Sequence, residues 1–233
     1  MRPPPALAAV VVSLAAGQAV LVACGDDEDA DTTTAGATGA TGATGPASAE
    51  LREQASIDPA TGVIAGLEPD GREGELPGRL PHGELEALAE EGGCELMLDL
   101  PDEGNTHLRP GEETPDYDTD PPTSGDHDPA PTADGAYLET PEVTQAVHSL
   151  EHGRVAIQYS PELSQPEQLA LKGLYDGDPE GMLLYPNPEM PYQVAATAWR
   201  NLIGCAAYSD QVLAAIAAFR DRLRGKGPER VPL

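Results

Sequence analysis

Near the end of the chain, Val212, Leu213, Ile216, Phe219 and Leu223 recur every three or four residues. That spacing gathers them on one face of a helix. Ser209 stands where a cap is needed, Asp210 falls in the first turn, and Arg220, Arg222 and Arg224 fall in the last, the order a helix dipole favours. Gly225 ends it. A second helix is predicted from Ser164-Gln165-Pro166-Glu167, a capping box with Pro inside it, through Leu169, Leu171 and Leu174 toward Gly177. A shorter one runs from Glu84 to Glu91, with Leu85, Leu88 and Ala89 on one side and Gly92-Gly93 as its stop. Elsewhere the period falls to two. Cys94 to Leu100 alternates through Leu96 and Leu98, and Arg154 to Tyr159 through Val155 and Ile157, so both read as strands. Met182 to Tyr185 is a short apolar strand. Tyr192 to Trp199 is a further strand candidate, although its alanines would also suit a helix. Helices and strands alternate in this half, which predicts an α+β fold over residues 76–228: a small mixed sheet with flanking helices.

Two stretches break the pattern. Pro101 to Thr140 has almost no periodicity, and a structureless segment of that length inside a domain signals either function or disorder. Leu108, Tyr117, Tyr137 and Leu138 give it anchors, and Pro121-Pro122 stiffens it near His127, so it is expected to be one long ordered loop wrapped on the domain. At the other end, Arg2 precedes an apolar run from Ala6 to Ala23 with the shape of a secretory signal peptide, residues 1–23. It closes on Leu21-Val22-Ala23-Cys24, which resembles the bacterial lipobox, in which the cysteine carries lipid. A retained transmembrane anchor is the alternative, at the short limit of about 17 residues for spanning. Residues 24–75 follow as a tether, an acidic block and then an Ala-Thr-Gly repeat that buries too little to stay ordered. The expected location is the extracytoplasmic face of the cell membrane, with the lipid on Cys24 as the membrane partner. No protein partner is legible.

Composition adds a constraint on partners. With 13 basic and 40 acidic residues the formal net charge is −27, which repels nucleic acid and anionic membrane surfaces and draws in cations or basic partners. If Cys24 is lipidated, Cys94 and Cys205 remain as an even pair in an oxidising compartment, and a disulfide between them is expected. A thiolate ligand or nucleophile is the other reading of those two.

The candidate chemistry lies in histidine. His148 and His152, four apart, share one face of a helical turn that Gly153 ends, and Val147 and Leu150 seat it on a core. His107 and His127 lie in the long loop that would fold over it. Four of the chain's five histidines thus line one expected pocket, with Glu151 as an acceptor that orients a ring; His82, in Pro-His-Gly, is a loop histidine outside it. Imidazole suits Zn and Cu alike, and Met182 or Met190 could tilt the choice to copper. His148-Ser149-Leu150-Glu151-His152 also matches the His-x-x-Glu-His pattern of zinc peptidases, though Pro141 and Gly153 leave too short a helix for theirs. The leading expectation is a pocket binding a transition metal. A non-metal small-ligand or protein-interaction domain is the alternative from another class, and a metal-dependent hydrolase is a third.

Three stretches together resemble one bacterial family: His107-Leu108 with Pro110-Gly111, then Pro121-Pro122-Thr123-Ser124-Gly125-Asp126-His127, then Val147-His148-Ser149-Leu150-Glu151-His152-Gly153. Ala198-Trp199 fits as well. The family is the exported domain of unknown function 3105, and the likeness covers roughly Leu100 to Arg224. It implies an exported or membrane-anchored protein and a set of positions, not a reaction. Asp128 stands where the resemblance leads one to expect an aromatic wall for the pocket.

Overall fold

Strands that are apolar on both faces need a layer on each side, and this chain supplies two unequal ones. A computed structural model describes residues 67–233; the expected signal peptide, Cys24 and most of the expected tether lie outside the described residues. The described chain forms α1 (Leu85–Gly92), β1 (Cys94–Met97), β2 (Gly135–Ala136), α2 (Val143–Glu151), β3 (Val155–Tyr159), α3 (Gln165–Gly177), β4 (Met182–Pro186), β5 (Val194–Ala198), β6 (Asn201–Cys205) and α4 (Asp210–Leu223). The six strands make one mixed sheet in the order β1-β6-β5-β3-β4-β2. β3 and β4 are parallel, joined by α3 as a crossover, and β2 adds to β4 in parallel. The other three pairings are antiparallel. The α+β expectation is met.

On one face Val155, Ile157, Met182, Leu184, Val194 and Ile203 meet α1, α3 and α4, with Phe219, Ile216 and Leu213 of α4 fully buried at the centre. The opposite face, Ala156, Leu183 and Tyr185, is covered by α2 through Val147 and Leu150, by the long loop through Tyr137, and by Trp199 from the β5–β6 turn. The caps act as the sequence implies: Glu167 Oε2 accepts from the Ser164 amide at 2.8 Å, and Ser209 Oγ from the Val212 amide at 3.2 Å.

Three features depart from the expected map. β1 stops at Met97 rather than Leu100, because Asp99 takes a positive φ of 54° and the Leu100 amide bonds instead to the Arg200 carbonyl at 2.9 Å. β6 lies where the sequence pattern predicts no element: it is five residues long, begins with Asn201 and carries Gly204. A Cβ there would meet the Tyr192 ring at 2.4 Å, so the glycine that weakens the strand signal makes room for a packed aromatic. Finally, residues 67–75, assigned to the tether by their composition, lie along the fold. Asp70 donates its amide to the Ala136 carbonyl at 2.7 Å, and its buried carboxylate takes both a 2.9 Å and a 2.8 Å bond from Arg72.

Candidate metal centre

The long loop is ordered by pairing its two arms. Thr106 accepts from the His127 amide at 3.0 Å and His127 from the Leu108 amide at 2.7 Å, an isolated parallel bridge that sets His107 beside His127. Asp126 holds the Thr106 amide at 2.9 Å, and the Tyr117 hydroxyl donates to the Asp126 carbonyl at 2.8 Å. The tip of the β5–β6 hairpin fixes the loop from the other side, where the Arg200 amide donates to the Thr123 carbonyl at 2.9 Å. Below lies α2, whose last turn presents His148 and Glu151; Ser149 Oγ ties it to the loop through the Thr132 carbonyl at 2.7 Å. His127 is wholly enclosed, with the Trp199 ring edge-on at 6.2 Å.

Ring orientation follows from the partners. A backbone carbonyl only accepts, so His127 Nδ1 donates to Gly125 at 2.8 Å and His148 Nδ1 donates to Asp128 at 2.7 Å. In each neutral ring Nε2 is then left with its lone pair facing the interior. This carbonyl anchoring is the arrangement that orients metal-binding imidazoles. Asp128, where an aromatic wall was expected, contributes its backbone oxygen, which any residue type would supply.

One ligand atom from each of His107, His127, His148 and Glu151 lies within 4.8 Å of every other. Ring centroids stand 5.2 Å apart for His107 and His127, 4.8 Å for His107 and His148, and 4.7 Å for His127 and His148. Only His107 is exposed, so the group opens to solvent on one side. His127 Nε2 and Glu151 Oε2 face each other at 3.1 Å, both side chains buried, yet His127 Nε2 has no hydrogen-bond partner among the described residues.

The expected quartet therefore converges only in part. His152 falls into a second group with His148 and Glu229. His148 Nε2 and His152 Nε2 are 2.9 Å apart, and His152 Nε2 is 3.1 Å from Glu229 Oε2. The reason is helical geometry: His152 continues past the end of α2 at φ −74°, ψ 5°, and its ring turns toward the C-terminal tail rather than under the loop. Glu151, expected as a carboxylate orienting a ring, lies among the ligand atoms. Glu229 had no local signal, since it is 77 residues from His152 and past the expected domain end. Met182 is in the core on the other face of the sheet, which removes it as a thioether ligand. The remaining sequence candidates, Cys94 and Cys205, are bridged at 2.06 Å.

Burial, and next to it the like charge that His152, His127 and His107 could carry, push His148 down to about 4, although the Asp128 carbonyl favours its protonated form. Its folded value lies below that of the unfolded chain, so the unfolded state binds more protons between about pH 6.5 and 4. The contribution is complete above pH 6.5 and lost as acid carries the protein through pH 4. For chelator-treated protein, urea melts across that window are expected to lose about 3 kcal/mol toward pH 4, and His148→Gln to flatten the slope. An equally steep slope in the variant would assign the loss elsewhere.

A family model described as "Protein of unknown function (DUF3105)" matches residues 108–231, just over half of the chain. No curated protein and no solved structure matches.

Proposed function

The chain belongs to this family of proteins of unknown function, DUF3105, and on that footing we propose that it binds one divalent transition-metal ion through His107, His127, His148 and Glu151. The observation that carries the reading is the pair His127 Nε2 and Glu151 Oε2. Two buried atoms with lone pairs face each other at 3.1 Å without a hydrogen bond. With no proton on either atom such an approach is repulsive unless a metal cation lies between or beside them, and a buried carboxylate without a compensating charge is costly. Donors about 2.0–2.2 Å from a tetrahedral ion stand about 3.3 Å apart, close to the spacing found. Three imidazoles and a carboxylate suit zinc; Cu(II) is the competitor, and the loss of Met182 removes one argument for copper.

Four protein donors leave no fourth position for water, so the reading is metal binding rather than hydrolysis. One observation favours the hydrolase instead: His148, His152 and Glu229 are two imidazoles and a carboxylate, a catalytic ligand set. Against it, Glu151, which would serve as the base, faces His127. The location proposed is the extracytoplasmic face of the membrane, with Cys24 lipidated. The disulfide supports an oxidising compartment, and the apolar run ending at Cys24 supports the anchor.

Tag-free protein titrated with Zn2+ against a chelating dye is expected to take one ion per chain. His148→Ala, which removes the nitrogen common to both groups, is expected to weaken uptake by at least about 100-fold. Folded wild-type protein that takes no Zn2+ ends the proposal.

A further inference from the structure

The two groups of ligand atoms meet at one atom. His148 belongs to both groups, and with its Nδ1 committed to the Asp128 carbonyl, Nε2 is the only nitrogen that ring can offer to either. A single lone pair binds one ion at a time. We propose that His148, His152 and Glu229 form a second, outer metal position that excludes occupation of the inner one, and through which the ion is delivered to His107, His127, His148 and Glu151. This rests on the inner group being a metal site.

The outer group has the chemistry for that role. One Nε2 proton of His152 stands between two acceptors, His148 Nε2 at 2.9 Å and Glu229 Oε2 at 3.1 Å. A divalent ion replacing that proton would find two of the three donor pairs, at 2.9 Å and 3.1 Å, within a few tenths of an ångström of the spacing a tetrahedral ion needs, about 3.3 Å, and all three donors within 4.8 Å of one another. It is also the more accessible group: Glu229 has a side chain 53% exposed, whereas Glu151 is 6% exposed. With two imidazoles and one carboxylate it offers one protein donor fewer, so an ion binds there more weakly and keeps water it must later shed.

The tail that carries Glu229 is held against the end of α2. The Gly225 amide donates to the Gly153 carbonyl at 2.8 Å and the Glu229 amide to the Glu151 carbonyl at 3.2 Å. Between them Gly227 passes so close that a Cβ would sit 2.1 Å from the Glu151 carbonyl oxygen. The backbones of the inner carboxylate and the outer one are thus joined by a hydrogen bond, which sets the outer position a fixed, short step from the inner.

The test uses His107→Ala, which opens the inner group at its exposed member and leaves the buried core untouched. With Zn2+ as the probe and dye competition as the readout, this variant is expected to bind one ion about 100-fold more weakly than wild type. Adding Glu229→Gln is expected to abolish that residual binding. In stopped flow, Glu229→Gln in an otherwise wild-type chain is expected to slow Zn2+ uptake at least about fivefold. Residual binding indifferent to Glu229→Gln, an unchanged uptake rate, or two ions held at once by wild type each overturns the outer position while leaving the inner site standing. Wild type that takes no Zn2+ overturns both.

Discussion

Without the Cys94–Cys205 bridge, the double variant Cys94→Ala/Cys205→Ala is expected to be less stable than wild type by about 4–5 kcal/mol. The bridge spans 111 residues, so it removes a large amount of loop entropy from the unfolded chain, and the effect grows with loop length. What it holds is also vulnerable. β1 is a four-residue edge strand that pairs with β6 alone, and the two cysteines stand directly opposite in that register. Cys205 is fully buried among the residues under α4, so losing its sulfur adds a small cavity. The loss should reach the histidine group as well. Just past β1 the Leu100 amide bonds to the Arg200 carbonyl, and Arg200 also holds the loop at Thr123. Guanidinium melts of the two proteins measure the difference; a gap under about 1 kcal/mol means the unfolded chain is already compact enough that the bridge restrains little.

How much of this was legible depended on whether the signal was local. α3 and α4 were readable because each carries its own start signal, Ser164 with Glu167 and Ser209 with Asp210, followed by an apolar face of correct period. β6 was not, because its Gly204 is explained only by the Tyr192 ring lying over it in the folded sheet. Residues 67–75 look like tether by composition, and what holds them in place is long-range: the edge beside Ala136, the Glu75 amide on the Leu169 carbonyl and the Arg72 guanidinium on Gln168. The site divides the same way. His148 and Glu151 are one helical turn apart, so spacing puts them on one face; that His127 lies over them rests on reading the long segment as an ordered loop. That His152 would turn away to Glu229 depends on the chain's last residues folding back over Gly153, which no periodicity encodes. The loop histidines were legible as a pair only through the prolines and glycines around them; the bridge that sets them side by side is made by backbone atoms, whose partners sequence does not name.

Glu151→Gln is expected to move stability and metal affinity in opposite directions. In wild type the buried carboxylate faces His127 Nε2 at 3.1 Å, and His127 Nδ1 already spends its proton on the Gly125 carbonyl. Glutamine removes the buried charge and brings an N–H that can donate to that Nε2 lone pair. In chelator-treated protein the variant should therefore be more stable by about 1–3 kcal/mol, the worth of satisfying a buried polar atom. The same change deprives an ion of its only anionic inner donor, so Zn2+ affinity should fall at least about 100-fold. The signs separate two accounts of the site. Were His127 doubly protonated and ion-paired with Glu151, the amide would break a buried pair and destabilise the protein by about 3–5 kcal/mol. Urea melts of both proteins with chelator, beside Zn2+ titrations, give the two numbers: a less stable variant points to a proton between His127 and Glu151, and a more stable one that binds Zn2+ poorly points to a site built for a cation.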